Sequence, residues 1–283
     1  MQWQIRLDQH GFSPGQIDGT VGVSTRRALK AFQEAHGIGP SGQPDCAVWD
    51  VLDAGDEKAT LMPYEITADD VKGPFIERVP ASMEAAAKLP RLQYASPIEA
   101  LSEQFHAAPA LLKRLNPRAR FSAGDRITVP AVKPFNDGAK PQHDAAAPSV
   151  SVTVSRDESA LRVTAADGTL VFFAPVSSGS THDPLPVGTW KVTGVTWYPV
   201  FHYNPDLFWD ANPKDDAVTI KPGPNSPVGV VWIGLDLEHY GLHGTPEPSK
   251  IGAAASHGCV RLTNWDAARV AALVQPGTPV VFK

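Results

Sequence analysis

From Val150 onward the chain is written in short alternating runs, and no other feature restricts its fold as much. "SVTVSRDESALRVTAADGTLVFFAPVSSG" alternates apolar and polar residues around a turn signal at Asp167–Gly168. "PVGTWKVTGVTW", "AVTIKPG" and "VGVVWIGLDL" are further β-like runs, divided by Gly, Pro and Asn. Alternation places every second side chain on one face, which suits a strand buried on one side. "TNWDAARVAALV" is the one convincing helical pattern here, with Thr263 or Asn264 as cap and Asp266 in its first turn. "GTPVVF" closes the chain as a strand. Residues 150–283 are therefore expected to form a mostly-β domain of the sandwich or barrel type with a C-terminal helix.

The preceding residues divide differently. Residues 1–54 read as a small three-helix unit. Ile5, Leu7 and Phe12 surround a first helix that ends at Gly11. A second helix is capped by Ser24, carries Ala28, Leu29, Phe32 and Ala35 at helical spacing, and stops at Gly37. A short third helix covers Ala47 to Leu52, with Cys46 beside it as a small buried hydrophobe. Residues 55–90 give no clear pattern and read as a connecting segment. Residues 91–132 form a small α+β unit: "LQYAS" as strand, "PIEALSEQFHA" and "APALLKRLN" as helices, "GDRITVPAV" as strand. His106 is expected at the surface, at a helix end. Residues 133–149, rich in Pro, Ala and polar residues, read as a linker.

Composition excludes some classes. The 283 residues suffice for two or three domains. A net charge of −5 leaves no basic surface for nucleic acid. No apolar run approaches the length of a membrane span. The first residues are helix-like at once, with no basic n-region, apolar h-region or cleavage site, so by sequence alone either the protein stays in the cytosol or a signal peptide lies outside this sequence. With only two cysteines there is no disulfide framework, and both read as free thiols.

"LHGTPEPSKIGAAASHGCVRLTNWDA" packs His243, His257 and Cys259 together. Three such ligands plus water make a catalytic zinc arrangement, yet the spacing matches no common zinc pattern and Gly258 would leave the chelate loose. Isolated histidines and cysteines are usually structural. Here Gly241, Gly244, Gly252 and Gly258 punctuate the segment, and reactive side chains between turn-forming glycines suit a site better than a core. The third reading is a nucleophile with its base. The thiolate is the reactive form of cysteine, an imidazole can take its proton, and a third group must orient that imidazole. The sequence offers one cysteine and two histidines for the first two roles.

"HGT" followed by "SHGCVRL" resembles the catalytic domain of L,D-transpeptidases of the YkuD type. Every fixed position of that pattern is filled in order: His243, then Ser256, His257, Gly258, Cys259, Val260 and Arg261. "PLPVGTWKV", "IKPGPNSPVGVVWIGL" and "NWDAARVAALVQPGTPVVF" extend the resemblance over residues 150–283. "GFSPGQIDGTVGVSTRRALKAFQEAHGI" resembles a small three-helix peptidoglycan-binding domain, and "LLKRLNP" with "AGDRITVP" resembles a LysM-type glycan-binding module.

The resemblance implies roles by position. Cys259 is the nucleophile and His243 its base, oriented by the carbonyl of Gly244. His257, with Ser256 and Gly258, shapes the pocket or the oxyanion site. Arg261 contacts a substrate carboxylate, for which a guanidinium is well suited. Tyr240 and Trp232 line the groove, with core packing as their alternative role. The implied reaction is acyl transfer from a peptidoglycan tetrapeptide stem through a Cys259 thioester, giving diaminopimelate–diaminopimelate crosslinks, with no metal and no cofactor. Water as acceptor would make an L,D-carboxypeptidase, and a lysine of an outer-membrane lipoprotein would make a linking or cleaving enzyme. A non-catalytic wall-binding protein and a zinc peptidoglycan hydrolase are the readings from other classes. The family also implies acylation by carbapenems and a place in the periplasm or cell wall, with a signal peptide lying outside this sequence.

Overall fold

A computed structural model describes residues 1–54, 59–141, 143–144, 147–212, 214–253 and 258–283. Helices α1 (Gln2–Gln9), α2 (Val23–Ala35) and α3 (Cys46–Leu52) open the chain. Leu7, Leu29, Phe32, Val48 and Leu52 are buried in one cluster between them. Two local expectations are corrected. The N-cap of α2 is Gly22, with no side-chain cap, so Ser24 already lies in the first turn. Cys46 is exposed, because α3 buries Val48 and Leu52 and turns its first residue outward.

The middle unit comprises strand β1 (Leu61–Glu65), helices α4 (Ala68–Val71), α5 (Met83–Ala87), α6 (Pro97–Gln104) and α7 (Pro109–Leu115), and strand β2 (Arg126–Pro130). β1 pairs antiparallel with β2, from Leu61 opposite Pro130 to Glu65 opposite Arg126. The first strand thus comes from the segment that gave no sequence pattern, and "LQYAS" is not a strand. Pro63 hides β1 from sequence reading, yet a two-stranded ribbon has an open edge that tolerates a residue without an N–H. Leu92 is spent differently: its amide donates to Pro222 O and its side chain is buried beside Ile220.

The C-terminal unit carries β3 (Val150–Ser155), β4 (Ala160–Ala165), β5 (Leu170–Pro175), β6 (Ser177–Ser178), β7 (Gly188–Trp197), β8 (Phe201–Tyr203), β9 (Val218–Ile220), β10 (Val231–Leu235), β11 (Gly241–His243), β12 (Val260–Arg261), helix α8 (Asn264–Leu273) and β13 (Pro279–Phe282). Nine strands form one sheet in the order β5-β4-β3-β13-β7-β10-β11-β12-β6, and β8 and β9 make a separate ribbon. Strands β5 and β6 are one residue apart in the chain but stand at opposite ends of this order. The sheet must therefore curl until its ends approach, close to a barrel. Ala267, Val270 and Ala271 of α8 join Val231, Ile233 and Leu242 of β10 and β11 in its core. Thr263 caps α8, its side chain accepting from Asp266 N.

The three units pack against one another. The Ile17 amide donates to His106 O and the Ala108 amide to Ile17 O, each at 2.8 Å. The Ser13 amide donates to Phe173 O, and Phe173 N to Gly11 O. His106 is buried rather than exposed: its ring stacks on Trp265, with centroids 5.1 Å apart, and its Nδ1 lies 3.2 Å from Asp8 Oδ1. The start of the expected linker, around residues 135–137, is packed rather than free. Phe135 packs against the β core, and Tyr198 donates its hydroxyl hydrogen bond to Asp137 O. Among the described residues no helix is long and apolar enough to cross a membrane.

Candidate active site

Strand register brings several of the sequence-selected residues together. β11 pairs antiparallel with β10, setting His243 opposite Trp232 and Gly241 opposite Gly234. β11 pairs parallel with β12, setting His243 beside Arg261. Paired residues in a sheet share a face, so Trp232, His243 and Arg261 point the same way. Cys259 lies one residue before β12, two residues from Arg261 and level with Gly241 on the neighbouring strand. Two glycines clear the space. A Cβ on Gly241 would lie 2.5 Å from Trp232 Cζ2, and one on Gly258, at φ +97°, would lie 2.9 Å from Tyr240 Cε1. Only glycine lets the indole lie over β11 and the phenol lie against the turn before Cys259.

His243 is buried, and its ring stacks on Trp232 with centroids 5.4 Å apart and planes 16° from parallel. Its Nδ1 is 2.7 Å from Gly244 O. A carbonyl only accepts, so Nδ1 carries the hydrogen and Nε2 keeps a lone pair. Burial drives the imidazole pKa down to about 4; the Gly244 bond opposes this, and the Arg261 charge adds to it. The Cys259 thiol donates to His239 O at 3.4 Å. Burial raises its pKa, against a backbone hydrogen bond from Gly241 and the Arg261 charge, which favour the thiolate. Burial thus favours the uncharged thiol and the uncharged imidazole. Burial lowers the Arg261 pKa, while Cys259, Glu247 and Asp210 act in the other direction. Burial raises that of Tyr240, with Cys259 and Asp183 adding to it.

Ser256 and His257 lie outside the described residues. Among the described residues no group of three or more His, Cys, Asp or Glu side chains converges as metal ligands would. A cleft of about 1050 Å³ between the middle unit and the β domain, walled by Arg91, Tyr94, Phe135 and Tyr198, contains none of the site residues. Three contributors escaped sequence reading as site components. Gly241 and the His239 carbonyl touch the thiol, and Asn264 packs under Gly244. A glycine two residues before His243 hinted at the first; Asn264 reads only as a helix cap.

Residues 149–282 match the L,D-transpeptidase catalytic domain family YkuD. The chain carries a YkuD-type L,D-transpeptidase catalytic domain. Residues 1–52 match a peptidoglycan-binding domain family, upstream of the YkuD domain. YkuD of Bacillus licheniformis is 43% identical over 70 residues, which is 24% of this chain and 42% of that protein. YbiS of Escherichia coli K12 is 32% identical over 119 residues, 40% of this chain and 37% of that protein. A solved L,D-transpeptidase from Mycobacterium smegmatis is 22% identical with a TM-score of 0.39, covering 48% of this chain and 58% of that one. The chain spans about 40% of the length of the two curated relatives named here.

Proposed function

We propose that the YkuD domain of this chain forms diaminopimelate–diaminopimelate crosslinks in peptidoglycan through a thioester on Cys259. The observation that carries the reading is the His243–Gly244 hydrogen bond, which puts the ring hydrogen on Nδ1 and leaves Nε2 with the lone pair a general base needs. His243 Nε2 takes the thiol proton as Sγ attacks the diaminopimelate carbonyl of a tetrapeptide stem. Because burial favours the uncharged forms of thiol and imidazole, the proton moves with the attack. The oxyanion is held by backbone N–H groups around Gly258 and Cys259. As it collapses the C–N bond breaks, and D-alanine leaves with the proton from His243. The side-chain amine of a second stem then attacks the thioester. His243 takes the amine proton and returns it to the departing thiolate.

Arg261 meets a stem carboxylate by bidentate hydrogen bonds, and Trp232 and Tyr240 form the walls beside the reacting carbonyl. No metal or organic cofactor enters this chemistry. The peptidoglycan-binding domain and the LysM-like unit raise the local concentration of wall substrate around the site. The reaction belongs in the periplasm or cell wall.

The test is incubation of the full chain with diaminopimelate-containing disaccharide-tetrapeptide and mass spectrometry of the products, with Cys259→Ala in parallel. The proposal expects a crosslinked dimer from the wild type only. Tripeptide monomer alone would show that water resolves the acyl-enzyme, making the chain an L,D-carboxypeptidase. Equal products from Cys259→Ala would overturn the mechanism.

A further inference from the structure

We propose that Glu103, supplied by the middle unit, is a positioning residue for His243 and acts on it through Asn264. The inference rests on the reading of His243 as the base for Cys259.

Three backbones converge on the Asn264 carboxamide. The Val230 amide donates to Asn264 Oδ1 at 3.2 Å. A Cβ on Gly244 would lie 2.2 Å from that oxygen, and one on Gly229 would lie 2.1 Å from it and 2.6 Å from the Gly244 carbonyl carbon. Asn264 therefore fills the space beneath the peptide whose carbonyl holds His243 Nδ1. Where the carboxamide sits sets where that carbonyl points. The carboxamide is held both from within the YkuD domain and from outside it. Its Nδ2 donates to Glu103 Oε1 at 3.3 Å and to Pro224 O at 3.2 Å. Asn264 is fully buried and Glu103 nearly so.

Glu103 is one of a pair. Glu99, one turn earlier on α6, accepts from Asn225 Nδ2 at 2.8 Å and from the Ala95 amide at 2.7 Å. Asn225 also bonds Gln93 O and Leu92 O. A Cβ on Gly223 would meet Leu92 O at 2.0 Å. Helix α6 thus grips two asparagines of the catalytic domain, one on the segment entering β10 and Trp232, the other under Gly244. A module kept only for binding wall polymer has no need to reach beneath the catalytic histidine. Burial raises the Glu103 pKa to about 8, with Glu99, Asp137 and Asp266 adding and the Asn264 bond opposing. At neutral pH its role is that of an uncharged acceptor, which a glutamine reproduces.

The experiment measures kcat and KM of the full chain on the disaccharide-tetrapeptide, by D-alanine release, for wild type, Glu103→Gln, Glu103→Met, Glu103→Asp and Cys259→Ala. Glu103→Gln keeps the acceptor and is expected to retain wild-type kcat. Glu103→Met keeps the volume and loses the acceptor, and kcat falls on the order of 10- to 100-fold with KM unchanged. Glu103→Asp withdraws the acceptor by one methylene and shows the same kind of fall, so it decides the matter if Glu103→Met does not fold. Wild-type kcat in the variants lacking the acceptor, an equal loss in Glu103→Gln, or a loss carried by KM would overturn the inference. Turnover by Cys259→Ala would instead overturn the reading of Cys259, so the two failures are distinguishable.

Discussion

Asp8 and Arg269, 261 positions apart, meet in a two-pronged ion pair, with Nη1–Oδ1 and Nη2–Oδ2 both at 3.0 Å. Asp8 is fully buried and also accepts from His106 at 3.2 Å. Burial alone would raise its pKa, but the Arg269 and His106 charges and their hydrogen bonds hold it well below the usual carboxylate range. One carboxylate thereby joins the first helix, the middle unit and α8 of the catalytic domain. Asp8→Ala leaves a largely buried guanidinium uncompensated and should cost about 3–5 kcal/mol. Urea unfolding at neutral pH measures this. The folded pKa lies below the unfolded one, so the ionised group stabilises above about pH 4 and this contribution is lost as pH falls further. The gap between wild type and variant should narrow accordingly in acid.

His243 gives the second pH dependence. Its folded pKa is about 4, against an ordinary 6.5. The proposed base stays unprotonated well into acid, so if it serves Cys259 the acid limb of kcat/KM for acylation should fall nearer pH 4 than 6.5. A midpoint at 6.5 would show that the imidazole is not buried in the working enzyme. The stability sign is opposite to that of a histidine gaining a partner. Between 6.5 and 4 the unfolded chain binds a proton that the folded chain refuses. The contribution of His243 to stability is therefore present above 6.5 and lost as pH falls through that window.

Gly258 tests the crowding next to Cys259, the proposed nucleophile. An alanine there must adopt φ +97° and place its Cβ 2.9 Å from the Tyr240 ring. Gly124, at φ +86°, has nothing within 4 Å of the same position. Gly124→Ala should cost about 1 kcal/mol and leave activity intact. Gly258→Ala should add an overpacking cost of roughly 1–3 kcal/mol and remove most activity. Thermal unfolding and D-alanine release on the two variants check both halves.

Much of the candidate site's placement could be read from sequence because its parts are local. His243, Gly244, Cys259 and Arg261 lie within one segment, and the alternation of the flanking runs supplies the strands that set them side by side. The Thr263 cap also follows from neighbouring residues alone. What escaped depends on contacts between distant positions. His106 reads as a surface histidine because its partners, Asp8 and Trp265, belong to other units. Strand β1 escaped because Pro63 spoils its local signal, while the pairing that makes it a strand comes from residues 126–130. Glu103 looks like one more polar residue of an amphipathic helix until Asn264 is placed against it.

The central claim is that Cys259 carries the acyl group. It is tested most directly by rapid quenching of the full chain with diaminopimelate disaccharide-tetrapeptide, followed by intact-mass measurement and peptide mapping. The account predicts a protein adduct equal to the stem less D-alanine, mapped to Cys259 and absent from Cys259→Ala. Turnover without any such adduct, with Cys259→Ala releasing D-alanine at the wild-type rate, would contradict it.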